Sequence, residues 1–170
     1  MDCVLLASGS KGNCIYIGNG TDAVVVDAPC SGEGMFRKDP GAVEQWSVSN
    51  VELCVKRQRR ILADIWPALR PGGLLVYSTC TFNREENEDC VAWIADELGA
   101  APLAVEIGDN WGITGSLAGY GLPVYRFLPG YTAGEGFFIA VLRKDGDTPV
   151  SPPRQQRWQP APAKLKSAVG

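Results

Sequence analysis

An α/β fold is what this chain predicts: a short parallel sheet crossed by helices and preceded by a β-hairpin segment. Three observations carry that expectation. The first 28 residues alternate short apolar runs with tight-turn punctuation. A helical apolar stripe extends from about 49 to 69. Continuous apolar runs stand on either side of that stripe, at 24–28 and 74–78. With 170 residues, 45% of them hydrophobic, the chain has room for one domain with a core.

The elements follow in order. Apolar runs at 3–7, 13–18 and 23–28 are separated by SGSKG and NGTD, which reads as strands joined by tight hairpins. A polar, glycine-bearing segment leads to Ser47. Ser49 and Glu52 have capping-box spacing, and Val51, Cys54, Val55, Leu62, Ile65, Trp66 and Leu69 fall on one helical face. That helix is expected to stop at Arg70-Pro71-Gly72-Gly73. The run 74–78 reads as a buried strand. Beyond Cys80 a second helix is capped by Asn83, with Glu86 three residues on, and stops near Gly99. Strands at about 102–107 and 136–143 close the ordered part, with a Gly-rich irregular stretch between them. Residues 146–170 are Pro-rich and polar, and read as a linker or disordered tail.

Composition removes several function classes. The chain has no histidine, which excludes Ser-His-Asp and Cys-His catalysis and His-based metal clusters. A net charge of −3 gives no attractive field for nucleic acid, so such contacts need local basic patches. There is no basic n-region at the N-terminus and no apolar run near the roughly 20 residues of a membrane span. The expectation is a cytoplasmic protein with no membrane partner and no metal, whose six cysteines are reduced thiols.

Topology brings two of those thiols together. Residues 24–78 read as strand, helix, strand, and a right-handed crossover puts the C-terminal ends of both strands at one sheet edge. Cys30 and Cys80 each sit just past such an end, where open α/β sheets bind ligands. Cys80 is expected to be the more reactive, because it lies shortly before a helix N-terminus, although Glu85, Glu86 and Glu88 oppose that effect. The alternative is that both are small buried loop residues. Cys3, Cys14, Cys54 and Cys90 read as packing residues.

DAPCSGEGMFRKDP at 27–40, RQRRILADIWPALRPGG at 57–73, LVYSTCTFNREENE at 75–88 and GEGFFIAVLRK at 134–144 resemble, in order and spacing, the Sun-type RNA cytosine-5 methyltransferases. They most resemble the bacterial branch acting on small-subunit ribosomal RNA. The resemblance implies the second half of a partial Rossmann-like methyltransferase sheet. By it Cys80 is the nucleophile that adds to C6 of cytosine, and Cys30 assists release of the enzyme from the methylated base. Asp27 contacts the base or the cofactor, S-adenosyl-L-methionine. Arg37 and Lys38, directly after the Cys30 loop, are expected to touch RNA. Lys56, Arg57, Arg59 and Arg60 read either as an RNA contact or as a solvated helix face.

The N-terminus departs from this family, in which a glycine-rich loop with a helix behind it holds the cofactor. VLLASGSKGNCIYIGNGTDAVVVDA is instead similar to the opening of a metallo-β-lactamase-fold hydrolase, without the histidine-rich motif that metal hydrolysis needs. The expected organisation is a hydrolase-like hairpin segment at 1–28, a partial methyltransferase domain at 24–145 and the tail at 146–170. The expected function is S-adenosylmethionine-dependent rRNA cytosine-5 methylation by a truncated or hybrid chain with an incomplete cofactor site, which leaves its activity alone in question. The alternative is a catalytically silent hybrid that acts only by folding or by association through an exposed sheet edge beside 24–28.

Overall fold

The computed structural model describes residues 3–7, 20–117 and 119–146. Strand β1 (Cys3–Ala7) pairs directly and in parallel with β2 (Thr21–Asp27), from Cys3 opposite Ala23 to Ala7 opposite Asp27. A 3-10 turn at Glu33–Met35 and a short helix α1 (Pro40–Gln45) lead into the long helix α2 (Val48–Ile65). Strand β3 (Leu69–Thr79) then returns parallel to β2. Helix α3 (Glu88–Leu98), β4 (Ala100–Pro102), β5 (Val124–Phe127) and β6 (Phe137–Lys144) complete the described elements. The sheet order is β1-β2-β3-β6, with β6 antiparallel to β3 and with both β4 and β5 antiparallel along its other side. This is a partial Rossmann-like α/β sheet, as the sequence predicts, but the hairpin meander expected over 3–28 is not formed, because β1 takes the place beside β2 directly and in parallel.

Alternation along the strands decides which sheet face is covered. Val24, Val26, Leu75, Tyr77, Phe138, Ala140 and Leu142 are buried in one cluster with Leu62 of α2 and Cys90, Val91 and Ile94 of α3. The intervening Val25, Val76, Ile139 and Val141 are only half-buried. Period-2 burial in the strands therefore meets the helical stripe of α2, at Val51, Cys54, Gln58 and Leu62. Each fully buried Leu or Val contributes about 1.5–3 kcal/mol of transfer free energy. Arg59 of α2 lies over the Trp93 ring of α3, 5.4 Å from its centroid, and joins the helices at their outer side.

Several boundaries differ from the sequence expectation, each for a local reason. Helix α2 is capped by Ser47, whose hydroxyl accepts from Asn50 N at 3.1 Å, so the cap lies two residues before Ser49. The Pro-Gly-Gly stop signal falls inside β3 and not at the helix end. There β3 advances from Leu69 to Leu74 while β2 advances only from Thr21 to Ala23, so the extra residues form an irregularity in the strand. Helix α3 begins at Glu88, because Asn83 caps a preceding turn by accepting from Glu86 N at 2.9 Å. Gly99 ends α3 as expected, with φ 68°. The strand expected at 102–107 is confined to Ala100–Pro102, and the Gly-rich stretch holds β5. The edge of β2 expected to be open is covered by β1, which removes the ground for association there. The run at 13–18 and the tail from 147 lie outside the described residues.

Candidate active site

Parallel pairing places Asp27 opposite Ser78 at the C-terminal ends of β2 and β3. The pairing continues one step further, since Ala28 N donates to Ser78 O at 2.8 Å. The Ser78 hydroxyl donates to Asp27 Oδ1 at 3.1 Å, and the Asp27 residue is otherwise exposed at the edge. Two short loops leave these ends, and their thiols converge: Cys30 Sγ and Cys80 Sγ are 3.2 Å apart, both half-buried. Gly34 allows this approach. Its N–H donates to Cys80 O at 2.8 Å, and a Cβ at position 34 would lie 2.6 Å from that oxygen.

The two thiols have unlike acidities. Hydrogen bonding from Cys30 is the main influence that lowers the Cys80 thiol to about 7, against burial and the negative charges of Asp27 and Glu86. The same contact with Cys80, followed by burial, pushes the Cys30 thiol well up. Of the two, Cys80 is the more easily ionised, with Cys30 placed to donate to it. The sequence reading credited a helix N-terminus instead, but α3 starts at Glu88, eight residues beyond Cys80. The helix dipole fades within a turn, so it does not reach this sulfur.

Behind the thiols lies a buried polar network that joins the two loops. The Glu86 carboxylate accepts from Ser31 N at 3.1 and 3.2 Å, from Gln58 Nε2 at 2.6 Å and from Asn83 Nδ2 at 2.7 Å. Ser31 Oγ lies 3.0 Å from Thr81 Oγ1, and Glu33 Oε2 accepts from Phe82 N at 2.7 Å. Asn87 receives the Thr79 hydroxyl at 2.6 Å and donates to Thr81 O at 3.0 Å. On the far side Arg126 forms a buried bidentate pair with Glu88 and donates to Phe82 O at 2.9 Å.

Three of the five residues singled out from sequence, Asp27, Cys30 and Cys80, thus meet at one edge. Arg37 and Lys38 stand outside it on the same loop, largely exposed, with their cationic groups 3.7 and 3.8 Å from the Glu135 carboxylate. Of the helix cations, Lys56, Arg57 and Arg60 are exposed on α2. Sequence reasoning missed Ser31, Gln58, Glu86, Asn87 and Arg126. For Gln58 a signal existed: an amide occupies the apolar stripe between Cys54 and Leu62. Among the described residues no cluster of His, Cys, Asp and Glu could hold a metal ion, and no helix is long and apolar enough to cross a membrane.

The two thiols stand at adjacent parallel strand ends of an open α/β sheet, and comparison with known proteins shows that this sheet belongs to a methyltransferase-type domain. The family model for the 16S rRNA methyltransferase RsmB/F matches residues 3–143, and the chain belongs to this family. The match begins inside the segment 1–28, for which the comparisons give no support to the expected hydrolase resemblance, and β1 of that segment lies in the same sheet. The ribosomal RNA small subunit methyltransferase F of Citrobacter koseri is 44% identical over 133 residues, covering 77% of this chain and 27% of that protein. Its Escherichia coli counterpart is 43% identical over 132 residues, with the same coverage. The chain thus spans about a quarter of the length of these relatives. Among solved structures, NSun6 from Pyrococcus horikoshii with SFG has a TM-score of 0.64 and 32% identity, covering 76% of this chain and 31% of that one. A methyltransferase homolog protein from Pyrococcus horikoshii has a TM-score of 0.59 and 30% identity, over 74% and 40% of the two chains.

Proposed function

We propose that this chain carries the thiol half of an rRNA cytosine-5 methyltransferase site, with Cys80 as nucleophile and Cys30 as the group that assists release. The observation that carries the reading is the 3.2 Å contact between the Cys80 and Cys30 sulfurs at one sheet edge, where Cys80 is the more easily ionised of the two. A thiolate adds to C6 of cytosine and makes C5 nucleophilic, chemistry that needs neither histidine nor metal. When bound, S-adenosylmethionine supplies the electrophilic methyl group that C5 takes. Loss of the C5 proton to a base then expels the sulfur from C6. Cys30 supports both ends of this cycle: its hydrogen bond raises the fraction of Cys80 present as thiolate before attack, and stabilises the charge that develops on that sulfur as it leaves C6.

The residues described here fit the cofactor only in part. Asp27 offers an exposed carboxylate at the strand end, where such ligands sit in open α/β sheets. The glycine-rich turn with a helix behind it that would supply most of the polar contacts is not found among the described residues. Asp27 is therefore assigned to cofactor or base, and Arg37 and Lys38 to the RNA backbone, where their reach beyond Glu135 lets them exchange an exposed ion pair for a phosphate.

The test supplies the remainder of a relative's catalytic domain separately and measures methyl transfer to small-subunit rRNA. Cys80→Ser is expected to abolish transfer, and Cys30→Ser to accumulate a covalent protein–RNA adduct. Transfer by Cys80→Ser at the rate of the unsubstituted chain overturns the assignment.

A further inference from the structure

We propose that Glu86 is a positioning residue: its buried carboxylate grips the amide directly after Cys30 and, through Gln58, the carbonyl directly before it, and so holds that thiol against Cys80. The grip is explicit in the hydrogen bonds. Ser31 N, the amide directly after Cys30, donates to both Glu86 oxygens, at 3.1 and 3.2 Å. Pro29 O, the carbonyl directly before Cys30, accepts at 3.0 Å from Gln58 Nε2, which also donates to Glu86 Oε2 at 2.6 Å. Asn83 Nδ2 ties the other carboxylate oxygen to the Cys80 loop at 2.7 Å and reaches Ser31 Oγ at 3.1 Å.

Ser31 N, Gln58 Nε2 and Asn83 Nδ2 all donate to Glu86, and a carboxylate, which has acceptors only, can take all of them. The Gln58 amide is turned so that its nitrogen serves both Pro29 and Glu86, while its Oε1 has no partner. Glu86 is itself held from the main-chain side, with Tyr77 OH donating to its carbonyl at 2.7 Å. Among the described residues no lysine or arginine pairs with it, although it is fully buried. A buried, cation-free carboxylate is a poor device for stability, because desolvation opposes its charge. What it does here is fix one loop against another.

The catalytic importance of that positioning rests on the roles proposed above for the two thiols, but the positioning itself is tested without methyl transfer. The readout is the pH dependence of iodoacetamide alkylation at Cys80, followed by peptide mass spectrometry on the full chain. The groups whose charge or proton acts on the Cys80 thiol are Cys30, Asp27 and Glu86. Two causes then predict opposite signs for Glu86→Gln. If Glu86 acted only as a nearby negative charge, removing it would ease ionisation and lower the Cys80 pKa. If Glu86 positions Cys30, its loss withdraws the hydrogen bond that stabilises the thiolate, and the pKa rises.

We expect a rise of about one unit, read as roughly tenfold slower alkylation below the pKa. Glu86→Asp keeps the charge but draws the carboxylate back by about 1.5 Å, so it should raise the pKa as well, and it decides the matter if the glutamine variant does not fold. In a Cys30→Ala background neither substitution should raise it further. An unchanged or lowered pKa in the otherwise unsubstituted chain, or an equal rise without Cys30, overturns the proposal. Absence of methyl transfer in the complementation experiment would leave this result standing.

Discussion

Arg126→Met tests how the rear of the site is held. The Arg126 and Glu88 side chains are 2% and 0% exposed, and the guanidinium also serves Phe82 O at 2.9 Å and lies over the Phe138 ring at 5.5 Å. Methionine roughly keeps the volume but leaves the Glu88 carboxylate buried without its cation. Breaking a buried pair from one side costs about 3–5 kcal/mol, a large share of the about 5–15 kcal/mol by which domains are stable. Replacing both partners removes the charge together with its desolvation cost, so Arg126→Met with Glu88→Leu should recover most of the loss. Urea unfolding followed by tryptophan fluorescence gives both differences. The exposed Arg60–Asp64 pair, at 3.8 Å, is the internal control, and its removal should leave the midpoint nearly unchanged. A loss below about 1 kcal/mol in Arg126→Met, or a double variant no better than the single one, refutes the reasoning.

Two further outcomes follow from the same structure. Titration calorimetry of the chain alone with S-adenosylmethionine should give a dissociation constant in the millimolar range, because the described residues offer Asp27 and little else to a polar ligand, and each missing hydrogen bond removes about 0.5–1.5 kcal/mol; a micromolar value overturns this. Burial, outweighing the bonds from Ser31, Asn83 and Gln58, raises the Glu86 carboxyl above its ordinary value of 4.5, so between that value and its folded pKa the folded state holds a proton there that the unfolded state has lost. Glu86 therefore contributes a stability that declines as pH rises from about 4.5 through its folded pKa. Urea midpoints should show the stability difference between the unsubstituted chain and Glu86→Gln shrinking toward neutral pH, and a difference that grows instead would mean the three donors dominate.

The frame of the fold was legible because it is written in periodicity. The β2–α2–β3 crossover follows from two apolar runs and a stripe of period 3.6, and it alone implies that Cys30 and Cys80 share an edge. What periodicity does not encode is pairing partner. Strand β5 has four residues, VYRF, with a charged residue facing inward, and its strand character comes from its ladder to β6 and from the Arg126 contact to Glu88. The Pro-Gly-Gly sequence likewise signals interruption correctly, but tertiary pairing with β2 places that interruption inside a strand and not at its start.

The site divides along the same line. Residues whose chemistry is distinctive, the two cysteines and Asp27, are visible singly, and topology is enough to gather them. Gln58, Ser31 and Glu86 are unremarkable singly; separated by 27 to 55 positions, they acquire a role only when α2 and the two loops close on one another. The Asn83–Glu86 spacing shows how a local motif conceals a distant use. Read along the chain it is a helix cap, and Asn83 Oδ1 does accept from Glu86 N at 2.9 Å. Its amide nitrogen and the Glu86 carboxylate are meanwhile bonded to each other at 2.7 Å and to the Ser31 backbone or hydroxyl behind Cys30. One spacing thus serves both as a turn and as the join between the Cys30 and Cys80 loops. The opposite pKa shifts expected for Glu86→Gln under the charge and positioning explanations separate these two uses, since a residue needed only for the turn would leave the Cys80 thiolate to respond to lost charge alone.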